Sequence, residues 1–218
     1  MSTARPPGAR LAYRFALVLL RPLVRLLFRA RVSGGERVPS GGFVLASNHL
    51  SGWDVVALAY PLPSRWLRHM AKPQLFRRRF LGPLVRFLGA FPSRGGEESS
   101  VEIAARLAAA GHVVVIMPEG ARRRGRSHEP HTGAARTALA AGVPLVPVAL
   151  RGTDGVRRLA RWEIAFGDPI PLDDAEADAG GADPAEVATG RLWHAIRELE
   201  ATLGSQPAEP AASRSSAT

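Results

Sequence analysis

Three short apolar runs, each followed at once by polar residues, most strongly constrain what this chain can fold into. They are FVLAS at 43–47, HVVVIM at 112–117 and PLVPVAL at 144–150. Runs of this length that are almost wholly apolar are typical of strands buried on both faces of a sheet. Ala-rich helical patterns at 100–110 and 133–141 lie between them. This alternation predicts an α/β fold: a single domain with a mainly parallel central sheet flanked by helices.

Weaker patterns complete the predicted domain. Residues 66–71 and 162–166 are expected to form strands, the latter at the edge of the sheet, before Gly167 and Pro169. Helices are expected at 55–60 and 184–203. Three parts of the chain are therefore predicted: membrane-interface helices at 1–32, the α/β domain at 33–204, and a disordered tail at 205–218 that has no core residues.

The N-terminal segment 10–31 interleaves arginines with apolar residues. Its longest apolar run is six residues, whereas a spanning helix needs roughly 20, and it lacks the clean apolar region of a signal peptide. At about 100° per residue, the arginines gather on one arc and most of the leucines lie elsewhere. Two interpretations stay open: two short helices, broken at Pro22, that lie in a membrane interface, or a helical hairpin packed on the domain with a solvated basic face. The similar stretch 75–88 is equally compatible with a core helix and a membrane-facing helix.

The charge of the chain favours anionic partners. Lys and Arg number 29 against 19 Asp and Glu, which gives a formal net charge of +10. Nucleic acid, an anionic membrane surface and phosphorylated small molecules are the candidates. Aromatic residues make up only 6% and no nucleic-acid-binding motif is present, so we expect no nucleic-acid partner. The chain has no cysteine, which excludes a disulfide scaffold and a cysteine nucleophile.

Polar clusters follow the three apolar runs at 49–54, 118–126 and 151–154. Because the carboxyl ends of parallel strands meet at one edge of the sheet, we expect these clusters to converge there. In the first cluster, a neutral His49 can take a proton from a hydroxyl, and Asp54 can orient its imidazole. The alternative is that Asp54 merely caps a helix. In the second cluster, the guanidiniums of Arg122 and Arg123 can bind a phosphate, or the loop is simply a solvated or lipid-contacting basic loop.

Four blocks of the chain, in order, resemble those of one enzyme family. They are NHLSGWD, GAFPSR, MPEGARR and VPLVPVAL. The chain is similar to the glycerolipid acyltransferases of the lysophosphatidic acid acyltransferase (PlsC-like) type, over about residues 43–172. One departure is Ala121, which stands where the family usually has threonine.

The resemblance implies transfer of a fatty acyl group from acyl-CoA or acyl carrier protein to the free hydroxyl of a lysophospholipid, such as 1-acyl-glycerol 3-phosphate, giving phosphatidic acid. His49 would be the general base and Asp54 its partner. The acceptor would be bound by four residues: Arg94, Glu119, Gly120 and Arg122. The acyl group would pass directly, without an acyl-enzyme on Ser51, and no cofactor or metal is expected. Such an enzyme is expected at the cytoplasmic face of the cell membrane, peripheral or monotopic.

Three alternatives remain at this point. One is an acyltransferase of the same mechanism acting on glycerol 3-phosphate, an amino-acid lipid or a glycolipid. The others are a basic membrane-surface module and a nucleic-acid-binding module, both without catalysis. Acyl-CoA and acyl carrier protein are both open as the donor at this point.

Overall fold

The three apolar runs form adjacent strands in the middle of one seven-stranded sheet in a computed structural model of the chain, which describes residues 7–93, 99–122, 129–173 and 181–204. The strands are β1 (Arg31–Ser33), β2 (Phe43–Ser47), β3 (Leu67–Ala71), β4 (Ala90–Pro92), β5 (Val113–Ile116), β6 (Leu145–Arg151) and β7 (Glu163–Phe166). The helices in these ranges are α1 (Pro7–Phe28), α2 (Asp54–Ala59), α3 (Pro73–Phe76), α4 (Leu81–Phe87), α5 (Ser100–Ala109), α6 (Gly133–Ala141) and α7 (Pro184–Thr202).

The strand order is β1-β7-β6-β2-β5-β3-β4. The five strands from β6 to β4 are mutually parallel, whereas β7 pairs antiparallel with β6. The predicted α/β fold with a mainly parallel sheet is thus confirmed. The prediction that β7 lies at the sheet edge is wrong, because β1 pairs with its outer side, Arg31 opposite Glu163. The sequence did not predict β1, because its three residues are too few to show the alternation of apolar and polar residues that identifies a strand.

Helices cover both faces of the sheet. Along β2, Val44 and Ala46 point into a core formed with α5, α6 and α7, and Phe43 and Leu45 point into a second core with α1 and α2. Every residue of β2 is buried, as expected for a central parallel strand. This arrangement leaves the carboxyl ends of β2, β5 and β6 side by side at one edge of the sheet.

Helices α5 and α7 begin where a side chain accepts a hydrogen bond from one of their free N–H groups. Ser99 and Glu102 form a capping box at α5, with each side chain accepting a hydrogen bond from the backbone N–H of the other residue, at 3.2 and 2.8 Å. At α7 the Asp183 carboxylate accepts from the Ala185 N–H at 2.9 Å, directly before Pro184. Caps of this kind each contribute about 1 kcal/mol.

The N-terminal segment forms one helix, α1, and both interpretations that divide it, two helices broken at Pro22 and a helical hairpin, are wrong. Four inward residues at helical spacing bury one stripe of α1 on both sides of the proline: Tyr13, Leu17, Val24 and Phe28. The Phe28 ring stacks on Trp162 with centroids 4.2 Å apart. Packing along the whole stripe offsets the backbone hydrogen bond that Pro22 removes. The boundary drawn at residue 32 falls inside β1, and the tail at 205–218 lies outside the described residues.

Helix α1 also presents a second apolar stripe to the outside. Large exposed side chains on it include Leu11, Phe15, Leu19 and Leu26, the last 77% exposed. The patch at 75–88 is divided: Phe87 packs edge-on against Tyr13, with centroids 6.0 Å apart, whereas Phe80 is 85% exposed. No helix in the described ranges has the length and hydropathy needed to cross a bilayer.

The buried His69 of β3 gives a prediction about acid stability. Neither ring nitrogen has a hydrogen-bond partner in the described part of the chain. Burial, and secondarily the charge of Arg68, lowers the pKa of His69 from 6.5 to about 3. The folded state therefore binds fewer protons than the unfolded chain below pH 6.5, so stability that is complete above pH 6.5 is lost as the pH falls toward 3. At pH 4.5 the loss is about 3 kcal/mol, from 1.36 kcal/mol per unit.

His69→Leu should remove this loss. We expect urea unfolding to show that the wild type loses about 3 kcal/mol more than the variant between pH 7 and pH 4.5. Equal losses in the two proteins would show that His69 is protonated in the folded state.

Candidate active site

The turn after β2 is fixed by Asn48, which is buried. Its Nδ2 donates to the Leu150 carbonyl at 2.9 Å and to Glu200 Oε1 at 2.7 Å, and its Oδ1 accepts from the Leu150 N–H at 2.7 Å. The Asn48 amide thus takes the place of a backbone group and ties the chain leaving β2 to β6 and α7. As a result, the backbone of the next residue, His49, is held in a fixed position.

His49 and Asp54 are in contact. Nδ1 of His49 lies 2.7 Å from Oδ2 of Asp54. The His49 side chain is 20% exposed and that of Asp54 is 0% exposed. Because a carboxylate can only accept, Nδ1 carries the proton, and the lone pair of the neutral ring is on Nε2. An imidazole held in this tautomer has the form of a general base.

Asp54 is held by four hydrogen bonds. Besides His49, Oδ2 accepts from the backbone N–H groups of Leu50 at 2.8 Å and Ser51 at 3.0 Å. Oδ1 accepts from Oγ1 of Thr153 at 2.5 Å. These bonds compensate for the removal of the carboxylate from water. Asp54 is the first residue of α2, where the helix dipole also favours a negative charge.

Thr153 is a site residue to which sequence reasoning gave no role. It lies two residues beyond β6, in the polar cluster at 151–154 that was expected at this edge of the sheet. Its carbonyl accepts from Ser51 Oγ at 2.8 Å, and Ser51 Oγ accepts from the Trp53 N–H at 3.0 Å. The Ser51 hydroxyl is therefore engaged in holding the turn.

The third of the four blocks that resemble the family, MPEGARR, follows β5, the neighbour of β2. Glu119 is buried, and Gly120 has a φ of +64°, which favours glycine. A Cβ at Gly120 would also lie 3.1 Å from the ring of His131. A Cβ at Gly52 would lie 3.4 Å from Nη2 of Arg122, so this guanidinium sits against the turn that carries His49.

The structure therefore brings Arg122 to the turn between His49 and Asp54, with Glu119 and Gly120 in the same loop as Arg122. Arg94 lies outside the described residues. Within the described ranges, no three His, Asp or Glu side chains are grouped so that they could hold a metal ion.

Comparison with known proteins decides the family. The sequence model of the Acyltransferase family matches residues 29–151, more than half of the chain. This chain belongs to the acyltransferase family. The matched residues of this acyltransferase include the turn at 48–54, the loop at 118–122 and all of β6.

Relatives and a solved structure agree with this. The acyltransferase is 29% identical over 198 residues to a 1-acyl-sn-glycerol-3-phosphate acyltransferase of Bacillus subtilis, which covers 88% of this chain and 98% of that protein. It is 29% identical over 180 residues to one of Streptococcus pneumoniae, covering 77% of this chain and 66% of that protein. The crystal structure of PlsC, the 1-acyl-sn-glycerophosphate acyltransferase of Thermotoga maritima, superposes with a TM-score of 0.67 at 19% identity, covering 91% of this chain and 83% of that one, and shares its fold.

Proposed function

We propose that this acyltransferase moves a fatty acyl group from a thioester to the free hydroxyl of a lysophospholipid, 1-acyl-glycerol 3-phosphate, giving phosphatidic acid. The observation that carries the proposal is the 2.7 Å contact between His49 and Asp54 beside the guanidinium of Arg122. A base next to a phosphate-binding group suits an acceptor that has a hydroxyl and a phosphate close together. The name of the Bacillus subtilis relative supports the same acceptor.

The proposed reaction is a direct transfer. Nε2 of His49 takes the proton of the acceptor hydroxyl as its oxygen attacks the thioester carbonyl, and Asp54 stabilises the imidazolium that forms. The carbon–sulfur bond then breaks, and the thiolate leaves and receives the proton from His49. The products are the new ester and the free thiol of the donor. The hydrogen bonds of Ser51 support its role in holding the turn rather than as a nucleophile.

We assign the acceptor phosphate to Arg122, with Glu119 and Gly120 shaping the loop, and with Arg94 included on the resemblance alone. Arg122→Gln should raise the KM for the acceptor by about 10- to 100-fold, since a charged hydrogen bond contributes roughly 1.5–3 kcal/mol. The KM for the donor should stay within about twofold. Steady-state kinetics test this, with Arg106→Gln on α5 as the control arginine. Equal increases in both KM values would exclude a phosphate role for Arg122.

The function is tested by incubating the purified protein with labelled acyl-CoA or acyl carrier protein and a panel of acceptors. The panel contains 1-acyl-glycerol 3-phosphate, its dephosphorylated form, glycerol 3-phosphate and other lysolipids. We expect labelled phosphatidic acid as the main product, and no reaction of the dephosphorylated form. A different main product would support the second candidate, an acyltransferase acting on another acceptor. The sequence difference that motivates this candidate is Ala121, where the family usually has threonine.

We also propose that the protein lies on an anionic membrane through α1. Its exposed apolar stripe is long enough to enter the interface, and the guanidinium-bearing Arg14 is exposed on the same helix, where it could reach the lipid phosphates. We place the protein on the cytoplasmic face. Its proposed donors, acyl-CoA and acyl carrier protein, are dissolved in the cytoplasm and can reach a membrane-bound enzyme only from that side. No cofactor, metal or nucleic acid is part of the proposal.

Two substitutions on α1 test this anchoring. Phe15→Gln with Leu26→Gln should lower partitioning onto phosphatidylglycerol vesicles at least tenfold, since each apolar side chain contributes up to about 1.5–3 kcal/mol when buried. Val32→Gln with Leu159→Gln, two exposed apolar residues outside α1, is the matched control. Vesicle sedimentation measures the binding, and unchanged partitioning of the α1 variant would place the anchor elsewhere.

A further inference from the structure

A cleft of about 640 Å³ lies beside the edge strand β1, between α1, the end of α2, the start of β7 and residues 202–204 at the end of α7. Four arginines line it: Arg21, Arg25, Arg29 and Arg31. The acceptor loop after β5 is not among its lining residues. The proposed reaction so far gives this cleft no role.

The charge of the cleft is strongly positive. Glu163 also lines it, but its carboxylate lies 3.6 Å from Arg151, which offsets its charge. The guanidinium of Arg21 lies over the Tyr60 ring, 5.5 Å from the centroid, and Arg29 donates to the Leu159 carbonyl at 2.8 Å. Both contacts orient an arginine and leave its charge in place. A concave surface with four guanidiniums, two of them oriented by these contacts, suits a ligand with several phosphates.

The cleft lies on the opposite flank of β2 from the acceptor loop. β2 has β5, with the loop of Arg122, on one side and β6, followed by β7 and β1, on the other. The cleft reaches this second flank at Glu163, which pairs with Arg151 at the end of β6. Two residues further on, Thr153 holds Asp54. Direct transfer needs two substrates that meet at His49, so the donor is expected to approach on this second flank.

We propose that the arginine cleft binds the phosphates of the CoA portion of an acyl-CoA donor, with the pantetheine arm passing along the loop of Thr153 toward His49. This inference rests on the proposed function and selects CoA over a carrier protein. CoA carries three phosphates on a compact nucleotide, and the volume of the cleft lies in the range of roughly 300–1,000 Å³ typical of small-molecule sites. A carrier protein would instead need a broad surface of about 800 Å² per partner.

The test uses the full-length protein in non-ionic detergent and measures CoA binding by calorimetry without turnover. Arg21→Gln with Arg25→Gln should weaken CoA binding at least tenfold and raise the KM for acyl-CoA to the same degree. Phosphopantetheine, which lacks the nucleotide, should bind weakly and equally to the variant and the wild type. Arg78→Gln with Arg106→Gln removes the same charge outside the cleft and should change CoA affinity less than twofold. Thermal melting confirms that both variants fold.

The inference is overturned if the cleft variant binds CoA as tightly as the wild type does. It is also overturned if the charge-matched control loses as much CoA affinity as the cleft variant. The third such result is a cleft variant that loses only its binding to phosphatidylglycerol vesicles, which would make the cleft a lipid-headgroup site. Transfer from acyl carrier protein without any binding of CoA would likewise overturn it and leave the proposed function intact. Binding of CoA in the cleft without transfer to any acceptor would reject the proposed function and leave the cleft as a CoA site.

Discussion

Replacing His49 by alanine should lower kcat for acyl transfer by about 10²–10⁴-fold, because the acceptor hydroxyl then has no base to take its proton. This corresponds to about 3–5 kcal/mol of lost transition-state stabilisation. The KM for the donor should change little, since His49 acts on the hydroxyl and not on the donor's binding groups. The fold should be retained, because the His49 side chain is partly exposed and Asn48, not His49, ties the turn to β6.

The measurement is steady-state transfer by the purified variant, with His194→Ala as the control. His194 is an exposed histidine on α7 that pairs with Glu198, and its loss should not alter kcat. Added imidazole should restore part of the activity of His49→Ala. A variant that keeps most of its activity would show that another group, or water, takes the proton.

Asp54→Asn should lower kcat by about 10²-fold or more with little change in either KM. An asparagine at this position keeps the shape but removes the charge that stabilises the imidazolium. Its amide oxygen can accept from only some of the donors that now meet at the carboxylate, and its NH₂ group adds a donor where His49 Nδ1 also donates. The substitution should therefore also destabilise the fold by about 1–3 kcal/mol.

The two effects of Asp54→Asn are separated by kinetics below the melting temperature and by urea unfolding. Thr153→Val is the companion variant, since it removes one hydrogen bond to the carboxylate and keeps its charge. It should share the loss of stability and lose less than about tenfold in kcat. If the two variants lost equal activity, positioning and not charge would explain the role of Asp54.

The central part of the fold follows from the sequence because the strands β2, β5 and β6 are buried on both faces. Such strands must be continuously apolar, so their pattern is visible without tertiary information. The short strand β1 and the continuity of α1 through Pro22 depend instead on packing against distant residues such as Trp162. Local sequence patterns do not contain these contacts.

The candidate site also combines contacts that the local sequence predicts with contacts that depend on distant parts of the chain. His49 and Asp54 are separated by four residues, so one turn brings them together and their spacing already suggests the pair. Thr153 reaches Asp54 from 99 positions away, and Glu200 reaches Asn48 from 152 positions away. Such contacts exist only because β6 lies beside β2 and α7 packs over β6. The arginine cleft is likewise assembled from α1, β1 and β7 and has no motif of its own.

The double role of α1 limits how this protein can be made more soluble. The helix turns one stripe outward and buries the other against Trp162 and the core on that face of the sheet. Truncating the chain before β1 would leave this core open to water, and aggregation is the expected outcome. Exchanging only outward residues such as Leu11 and Leu19 for polar ones would keep the inner stripe intact. A detergent-free preparation is therefore better sought by surface redesign than by truncation.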